Sequence, residues 1–333
     1  MIPARDAGPY LAEAIDSVLD QRYPADRIEL VVVDDGSVDA TPQVLDGYGD
    51  RIRRIRHDEA KGVDGAIEAG LGICTGDLIT LMGADDAFTP DRYREMTRAF
   101  AKHPDAGLVY SDMTVVDEQG RVLARSFNQA SGIAPVDGHV LERLICGNFI
   151  SAGALMFRSS LLERILPFPR HVGVHDWWIA LQAAWVGPIV AIPRSLYRYR
   201  RHGRNLNLGR AGRSRLPLIE RELPLRRWLL RTVGIDEVGV DALRLALRAF
   251  DAQVAHVARL AERPTSALAQ EMAGDREAWL AAMSAASDAL DSGDLPAAME
   301  CLVRAAAEHP ADLESRGLVC QLAPHLAATP AAA

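Results

Sequence analysis

The sequence predicts an open, mostly parallel α/β sheet with helices on both faces, followed by an all-α C-terminal region. Three observations lead there. Short β-branched runs alternate with stretches of helical periodicity through the first half of the chain. Two of those runs lead into acidic pairs, Asp34-Asp35 and Asp85-Asp86. From about Arg213 onward the strand-like runs give way to segments rich in Ala, Leu and Arg.

Taken in order, Leu11, Ile15, Val18 and Leu19 recur at helical spacing behind Asp6 and Pro9, a cap and a first-turn proline. After the Tyr23-Pro24 turn, Ile28 to Val33 reads as a buried parallel strand that stops at Asp34, Asp35 and Gly36. Further strands are expected at Arg53 to Arg56, Leu78 to Met82 and Leu108 to Tyr110. Helices are expected between them at Thr41 to Tyr48, Val63 to Ile73 and Pro90 to Lys102. Ser126 to Gly138 is polar or small and reads as a mobile loop. Ala154 to Phe157 suggests another strand and Asp176 to Ala184 another helix. In the last third, Leu243, Leu247, Phe250, Val254 and Val257 form a narrow apolar seam, open to packing within the chain or to a homodimer. Gly293, Ala298, Leu302, Ala305 and Pro310 match the latter half of a tetratricopeptide repeat. A single such hairpin has to dock on a neighbour. The expected division is 1–210 for the sheet domain, 211–326 for the helical region, and a disordered tail from Ala327 to Ala333.

The 333 residues exceed what one core usually organises, which favours two domains. With 49% hydrophobic and 25% charged residues and no long apolar run, the chain reads as soluble. Pro3, Arg5 and Asp6 interrupt any leader-like stretch, so a cytoplasmic location is expected, with the inner face of the membrane as an alternative. Cys74, Cys146, Cys301 and Cys320 are far apart, as isolated thiols are. A net charge of −8 argues against nucleic acid as partner. Between Arg194 and Arg231, however, twelve arginines face only Glu220 and Glu222, a run that suits part diphosphate contact and part solvated face, with an anionic membrane or a lipid diphosphate as the alternative.

In open α/β sheets ligands bind beyond the carboxyl ends of the strands, where both acidic pairs fall. Such carboxylates can accept from a base or ribose, hold a hard divalent cation, or merely cap a turn.

The landmarks, in order, are IPARDAGPYLAEAIDSVLDQRYP, VVVDDGSVDAT, the segment from Gly62 to Gly76, LMGADDAFTPDRY, ISAGALMFR, HDWWIAL and YRYRRHGRN. This ordered set resembles the inverting family 2 glycosyltransferases of the GT-A fold, from Ile2 to about Asn207. The resemblance implies transfer of a sugar from a nucleoside-diphosphate donor to a saccharide or lipid-linked acceptor. Asp34 and Asp35 would hold the base and ribose. Asp85 would bind Mg or Mn at the donor diphosphate, with Asp86 beside it on the donor side. Asp176 falls where the family places its general base, and His202 at a position that reaches metal or diphosphate. Arg200 would stabilise the leaving charge. Trp177 and Trp178 are either core or a sugar platform for the acceptor. The HDWW segment resembles cell-surface polysaccharide transferases, which implies an envelope or exopolysaccharide role.

Three departures stand out. Gly83 occupies the usual first Asp of the metal-binding element, and Glu68 replaces a usual Asn. The strand that normally precedes the IPARDAG segment is missing, which predicts an upstream start. A rival reading is a non-catalytic sugar-binding or scaffold protein with a decayed GT-A domain.

Overall fold

The computed structural model describes residues 1–169, 172–203, 205, 216–274, 276–310, 318, 319 and 322. The tail from 327 to 333 and Cys320 lie outside them. The chain divides into two compact units. One comprises Met1–Val140, Phe149–Arg170 and His175–Gly209. The other comprises Leu141–Asn148, His171–Val174 and Arg210–Ala333. The segment around residue 145 thus leaves the sheet unit, because Leu144 and Ile145 are apolar side chains that are buried within the helical one.

In the sheet unit, β1 (Ile2–Ala4), β2 (Val31–Asp35) and β3 (Arg53–His57) form a parallel sheet in the order β1-β2-β3. The helices α1 (Gly8–Leu19), α2 (Thr41–Asp46) and α3 (Gly62–Leu71) connect them onward. The strand expected to be missing is one that precedes the IPARDAG segment; β1 is the short run within that segment. Its edge is paired, since Met1 N donates to the Thr80 carbonyl at 2.9 Å and Met82 N donates to the Met1 carbonyl at 3.1 Å.

The second sheet is mixed. It contains β4 (Leu78–Thr80), β5 (Ala87–Phe88), β6 (Leu108–Val116), β7 (Val122–Ala124), β8 (Leu155–Arg158) and β9 (Ile189–Arg200), with α4 (Arg92–Lys102) between β5 and β6. Its order is β4-β8-β6-β9-β5, with β7 on β6. Only β6 and β9 run parallel. The long β9 is not anticipated by the sequence, because its charged residues Arg194, Arg198 and Arg200 hide a strand period. Arg92 on α4 is fully buried and donates to Ser111 Oγ and Thr80 Oγ1 at 3.2 Å and to the Leu155 carbonyl at 3.1 Å. Its guanidinium lies 4.3 Å from the Phe88 ring centre, so α4 is pinned to four strands, β4, β5, β6 and β8. Burial lowers its pKa to about 10.

The stretch from Ser126 to Gly138, expected to be a mobile loop, includes a short helix. It carries α5 (Phe127–Ser131), capped by Ser126 Oγ accepting from Gln129 N and closed by Gly132 at φ 65°. The Tyr110 hydroxyl donates to the Val136 carbonyl and accepts from Val136 N, both at 2.8 Å. Asp112 accepts from Asn128 N and Ser126 Oγ. Two β6 side chains thus fasten what reads as loop.

The remaining helices are α6 (Leu141–Cys146), α7 (Leu162–Ile165), α8 (His175–Val186), α9 (Leu216–Glu220), α10 (Leu223–Thr232), α11 (Ile235–Leu260), α12 (Thr265–Glu271), α13 (Arg276–Asp291) and α14 (Leu295–Glu308). α8 is apolar on all sides and buried from Trp177 to Ala184. In the helical unit, Leu243, Leu247, Phe250, Val254 and Val257 of α11 are at most 5% exposed. The seam is spent inside the unit, which removes it as a dimer face. α13 and α14 make a hairpin around Gly293 at φ 77°, and α14 buries Ala298, Leu302 and Ala305. Arg227 and Arg231 of α10 both clasp the buried Glu308 carboxylate. Cys74, Cys146 and Cys301 are free thiols. Among the described residues no helix is long and apolar enough to cross a membrane.

Candidate functional site

Asp34 and Asp35 are the last two residues of β2 itself, paired in register with Arg56 and His57 of β3. The strand starts at Val31, later than its β-branched run suggests, because Ala25–Arg27 turn in a 3-10 helix. Asp34 Oδ1 accepts from Ser37 N at 2.9 Å and Oδ2 from Arg56 Nη1 at 2.8 Å. Asp35 Oδ1 meets His57 Nδ1 at 2.7 Å and accepts from Lys61 N at 2.8 Å, while Oδ2 accepts from Gly62 N at 2.9 Å. Burial alone would raise the Asp35 carboxyl. The His57 imidazole and the two backbone N–H groups outweigh it and hold the carboxyl below its ordinary range. Gly62 sits at φ 80°, where a side chain would be strained, so the N–H that meets Asp35 depends on glycine.

The loop before α1 is tied to the same end of the sheet. Asp6 N donates to Ser37 Oγ at 3.0 Å, Val38 N donates to Asp6 Oδ1 at 2.9 Å, and Ala7 N donates to Thr41 Oγ1 at 2.9 Å.

Asp85 and Asp86 follow β4 in a turn that closes with Asp86 N donating to the Gly83 carbonyl at 3.2 Å. Asp85 Oδ2 lies 2.8 Å from His202 Nε2, with the Asp85 side chain 31% exposed and that of His202 9%. Asp86 is buried. It accepts from Arg200 N at 2.7 Å and from the Tyr197 hydroxyl, both on β9. Burial, with Asp85 adjacent, pushes Asp86 well above the usual carboxylate range. It is an internal anchor for β9, which corrects its expected place among the donor contacts. A Cβ on Gly83 would stand 2.6 Å from Asp86 Oδ2 and 2.7 Å from Asp85 Oδ1, so the two carboxylates occupy the space a side chain would take. Glu68 lies partly buried on α3.

Arg200, expected to face a diphosphate, does not. Its side chain is 4% exposed, with Nε donating to the Asp85 carbonyl at 2.9 Å, Nη1 to the carbonyls of Asp117 and Glu118, and Nη2 to Glu13. With its donors committed, it fixes the Asp85 backbone.

Asp176 stands in the first turn of α8, half-buried, accepting from Ala152 N at 3.1 Å and Trp177 N at 2.8 Å. Burial raises its pKa, against the lowering effect of His175 and the backbone donors. Its neighbour His175 reaches Asp64 Oδ1 at 2.9 Å, in the first turn of α3. Because Gly62 at the start of α3 is bonded to Asp35, the chain of contacts Asp35, Gly62, Asp64, His175 brings Asp176 to the carboxyl end of the sheet. Sequence reasoning does not single out Asp64 and His175; the local signal is His175 beside the acidic HDWW position. Trp177 and Trp178 are 0% and 5% exposed, and Trp178 Nε1 donates to the Ile165 carbonyl. They are core residues, since the apolar surroundings of α8 enclose both rings, and the acceptor-platform expectation is withdrawn.

Among the described residues no three metal-ligating side chains converge. Asp85 Oδ2 and His202 Nε2 are hydrogen-bonded at 2.8 Å, and this carboxylate and imidazole are the pair that would hold a divalent cation. A cavity of about 500 Å³ lined by Glu29, Cys74, Asp77 and Tyr93 lies at the opposite, amino ends of β1 and β4, away from all these carboxylates.

The family model for glycosyl transferase family 2 matches residues 1–165. An uncharacterised glycosyltransferase of Nostoc sp. is 28% identical over 211 residues, covering 61% of this chain and 64% of the relative. The succinoglycan biosynthesis protein ExoO of Rhizobium meliloti is 36% identical over 131 residues, covering 39% and 36%. The chain therefore spans less than two thirds of these relatives. Among solved structures, a mannosyltransferase of Pyrobaculum calidifontis in complex with GDP-Man and Mn2+ superposes with a TM-score of 0.59 at 18% identity, covering 94% of this chain and 86% of that one. At that identity the likeness establishes the fold, which is GT-A.

Proposed function

Since the chain belongs to glycosyl transferase family 2 through residues 1–165, we propose that it is an inverting glycosyltransferase using a nucleoside-diphosphate sugar and a divalent cation. The observation that carries this reading is the Asp85–His202 pair at the same sheet end as Asp35 and Asp176. The Mn2+ of the Pyrobaculum neighbour supports it.

In this reading the donor nucleotide lies against the ends of β1 and β2. An ionised carboxylate offers about four acceptor sites. Asp34 uses two of its own and Asp35 three, which leaves acceptor capacity for ribose or base while the loop walls stay fixed. Asp85 and His202 hold the cation, and Arg200 and Asp86 hold Asp85 and β9 in place. A bound Mg or Mn supplies Lewis-acid stabilisation of the leaving diphosphate. Asp176 takes the proton of the acceptor hydroxyl as its oxygen bonds to the anomeric carbon and the bond to the diphosphate oxygen breaks. This single displacement inverts the anomeric configuration. A raised carboxyl pKa makes Asp176 a stronger base than an ordinary aspartate.

Similarity to the succinoglycan protein supports a place in cell-surface polysaccharide or glycoconjugate synthesis. The acceptor would be a saccharide or lipid-linked saccharide, met in the cytoplasm or at the inner face of the membrane. The test is the thermal shift of the full chain with UDP, GDP and dTDP, each with Mn2+, for the native protein and Asp85→Ala. Stabilisation by one nucleotide that needs both Mn2+ and Asp85 is expected. A folded protein that none of them stabilises would instead support the non-catalytic scaffold reading.

A further inference from the structure

The face of α1 that carries Tyr10 and Glu13 does something the acidic motif cannot do alone. The Tyr10 ring stacks on the His202 imidazole, with centroids 5.3 Å apart and planes inclined by 20°. The Arg200 guanidinium carbon lies 4.9 Å from the Tyr10 ring centre. One turn further along α1, Glu13 bonds Arg200 Nη2, and Arg200 Nε in turn donates to the Asp85 carbonyl at 2.9 Å. Residues three apart on a helix share a face, so Tyr10 and Glu13 act together. Tyr10 sets the plane of one candidate ligand, and Glu13, through Arg200, sets the backbone of the other.

We propose that Tyr10 and Glu13 are positioning residues for the cation held by Asp85 and His202, an inference that rests on the metal-dependent reading above. Asp85 is partly open and stands on a turn behind Gly83, a poor platform for fixing a ligand. His202 lies just past the end of β9. The His202 backbone N–H is held by Asn205 Oδ1, and α1, whose leading residues Asp6 and Ala7 are tied to Ser37 and Thr41, braces the His202 ring and the Asp85 carbonyl from behind. Groups that orient metal ligands from behind typically change metal affinity about 10- to 100-fold when removed.

The experiment measures the Mn2+ concentration giving half the thermal shift of the full chain, with UDP and separately GDP present. Tyr10→Leu, Tyr10→Phe and Glu13→Gln are compared with native protein and with Asp85→Asn. Tyr10→Leu is expected to raise the midpoint roughly 10-fold or more and Tyr10→Phe to restore it to within about 3-fold, because the stacked ring and not the hydroxyl is needed. Glu13→Gln keeps the side chain's length, and Glu13 is itself 47% exposed, so that variant should fold and still raise the midpoint several-fold. Midpoints unchanged in Tyr10→Leu and Glu13→Gln, with binding lost in Asp85→Asn, would overturn this inference and leave the metal site standing. A native midpoint that Asp85→Asn does not move would sink the metal reading itself, and this inference with it.

Discussion

Asp34 and Asp35 end β2 with all four carboxylate oxygens accepting hydrogen bonds, three of them from backbone N–H groups or the His57 ring and one from Arg56. Asp85 and Asp86 leave β4 with one carboxylate partly open and the other sealed behind Tyr197 and the Arg200 backbone. The same dipeptide is therefore two devices. At β2 convergent donors stabilise negative charge and hold it in place, so the pair shapes a wall. At the β4 turn, burial opposes charge on Asp86, and Asp85 stays partly open beside His202. Burial together with the donors aimed at a carboxylate, not its position after a strand, decides how much acceptor capacity it keeps.

The largest expected effect separates the two pairs by activity. Asp85→Asn should lower sugar transfer about 10²- to 10³-fold, the usual cost of deleting one preorganised electrostatic contact, with little loss of melting temperature. Steady-state transfer and a melting curve on the same sample check both halves. Asp35→Asn should behave in the opposite sense. An amide cannot accept from His57, Lys61 and Gly62 at once, so the cost is about 3 kcal/mol of stability, read by denaturant unfolding, whatever happens to turnover.

The pH dependence of stability should then run in opposite directions at the two sites. Asp35 has its folded pKa lowered, so its stabilisation is present above the ordinary carboxylate value near 4 and is lost as pH falls through the folded value. Asp86 has its folded pKa raised, so its ionisation destabilises the metal-free fold as pH rises from about 4 through the folded value. Unfolding measured across the acid range should show Asp35→Asn flattening the loss at low pH and Asp86→Asn flattening the decline above it. The smallest effect is Asp86→Asn at neutral pH. It should change stability by no more than about 1 kcal/mol, because an amide can still accept from Arg200 N without the cost of a buried charge. If Asp86→Asn proved as damaging as Asp35→Asn, the contrast between the pairs would collapse.

A related contrast concerns α8. Asp176, at its first turn, and Trp177 and Trp178 just behind it are neighbours in sequence, yet only the carboxylate is poised at the sheet end. If Asp176 is the base, the acid limb of the transfer rate should lie above the ordinary carboxylate range, and Asp176→Asn should lose about 10²- to 10⁴-fold in rate at every pH.

Much of this architecture follows from local rules. Alternation of β-branched runs with helical periodicity places β2, β3, α1, α3 and α4, and the ordered motifs single out Asp34, Asp35, Asp85, Asp176 and His202. Those signals survive because they are short-range: side-chain periodicity and turn chemistry are written within a few residues. Other features depend on partners far along the chain. Val31–Asp35 takes its register from Arg53–His57, β9 is a strand only because β5 and β6 flank it, and Arg200 turns inward because Glu13 and the Asp85 carbonyl are waiting there. Local pattern alone is enough to specify an α/β sheet that presents carboxylates at its carboxyl end. Which of those carboxylates is saturated, which is buried and which stays open is settled only on assembly of the sheet, because hydrogen-bond partners and desolvation come from residues that meet only then.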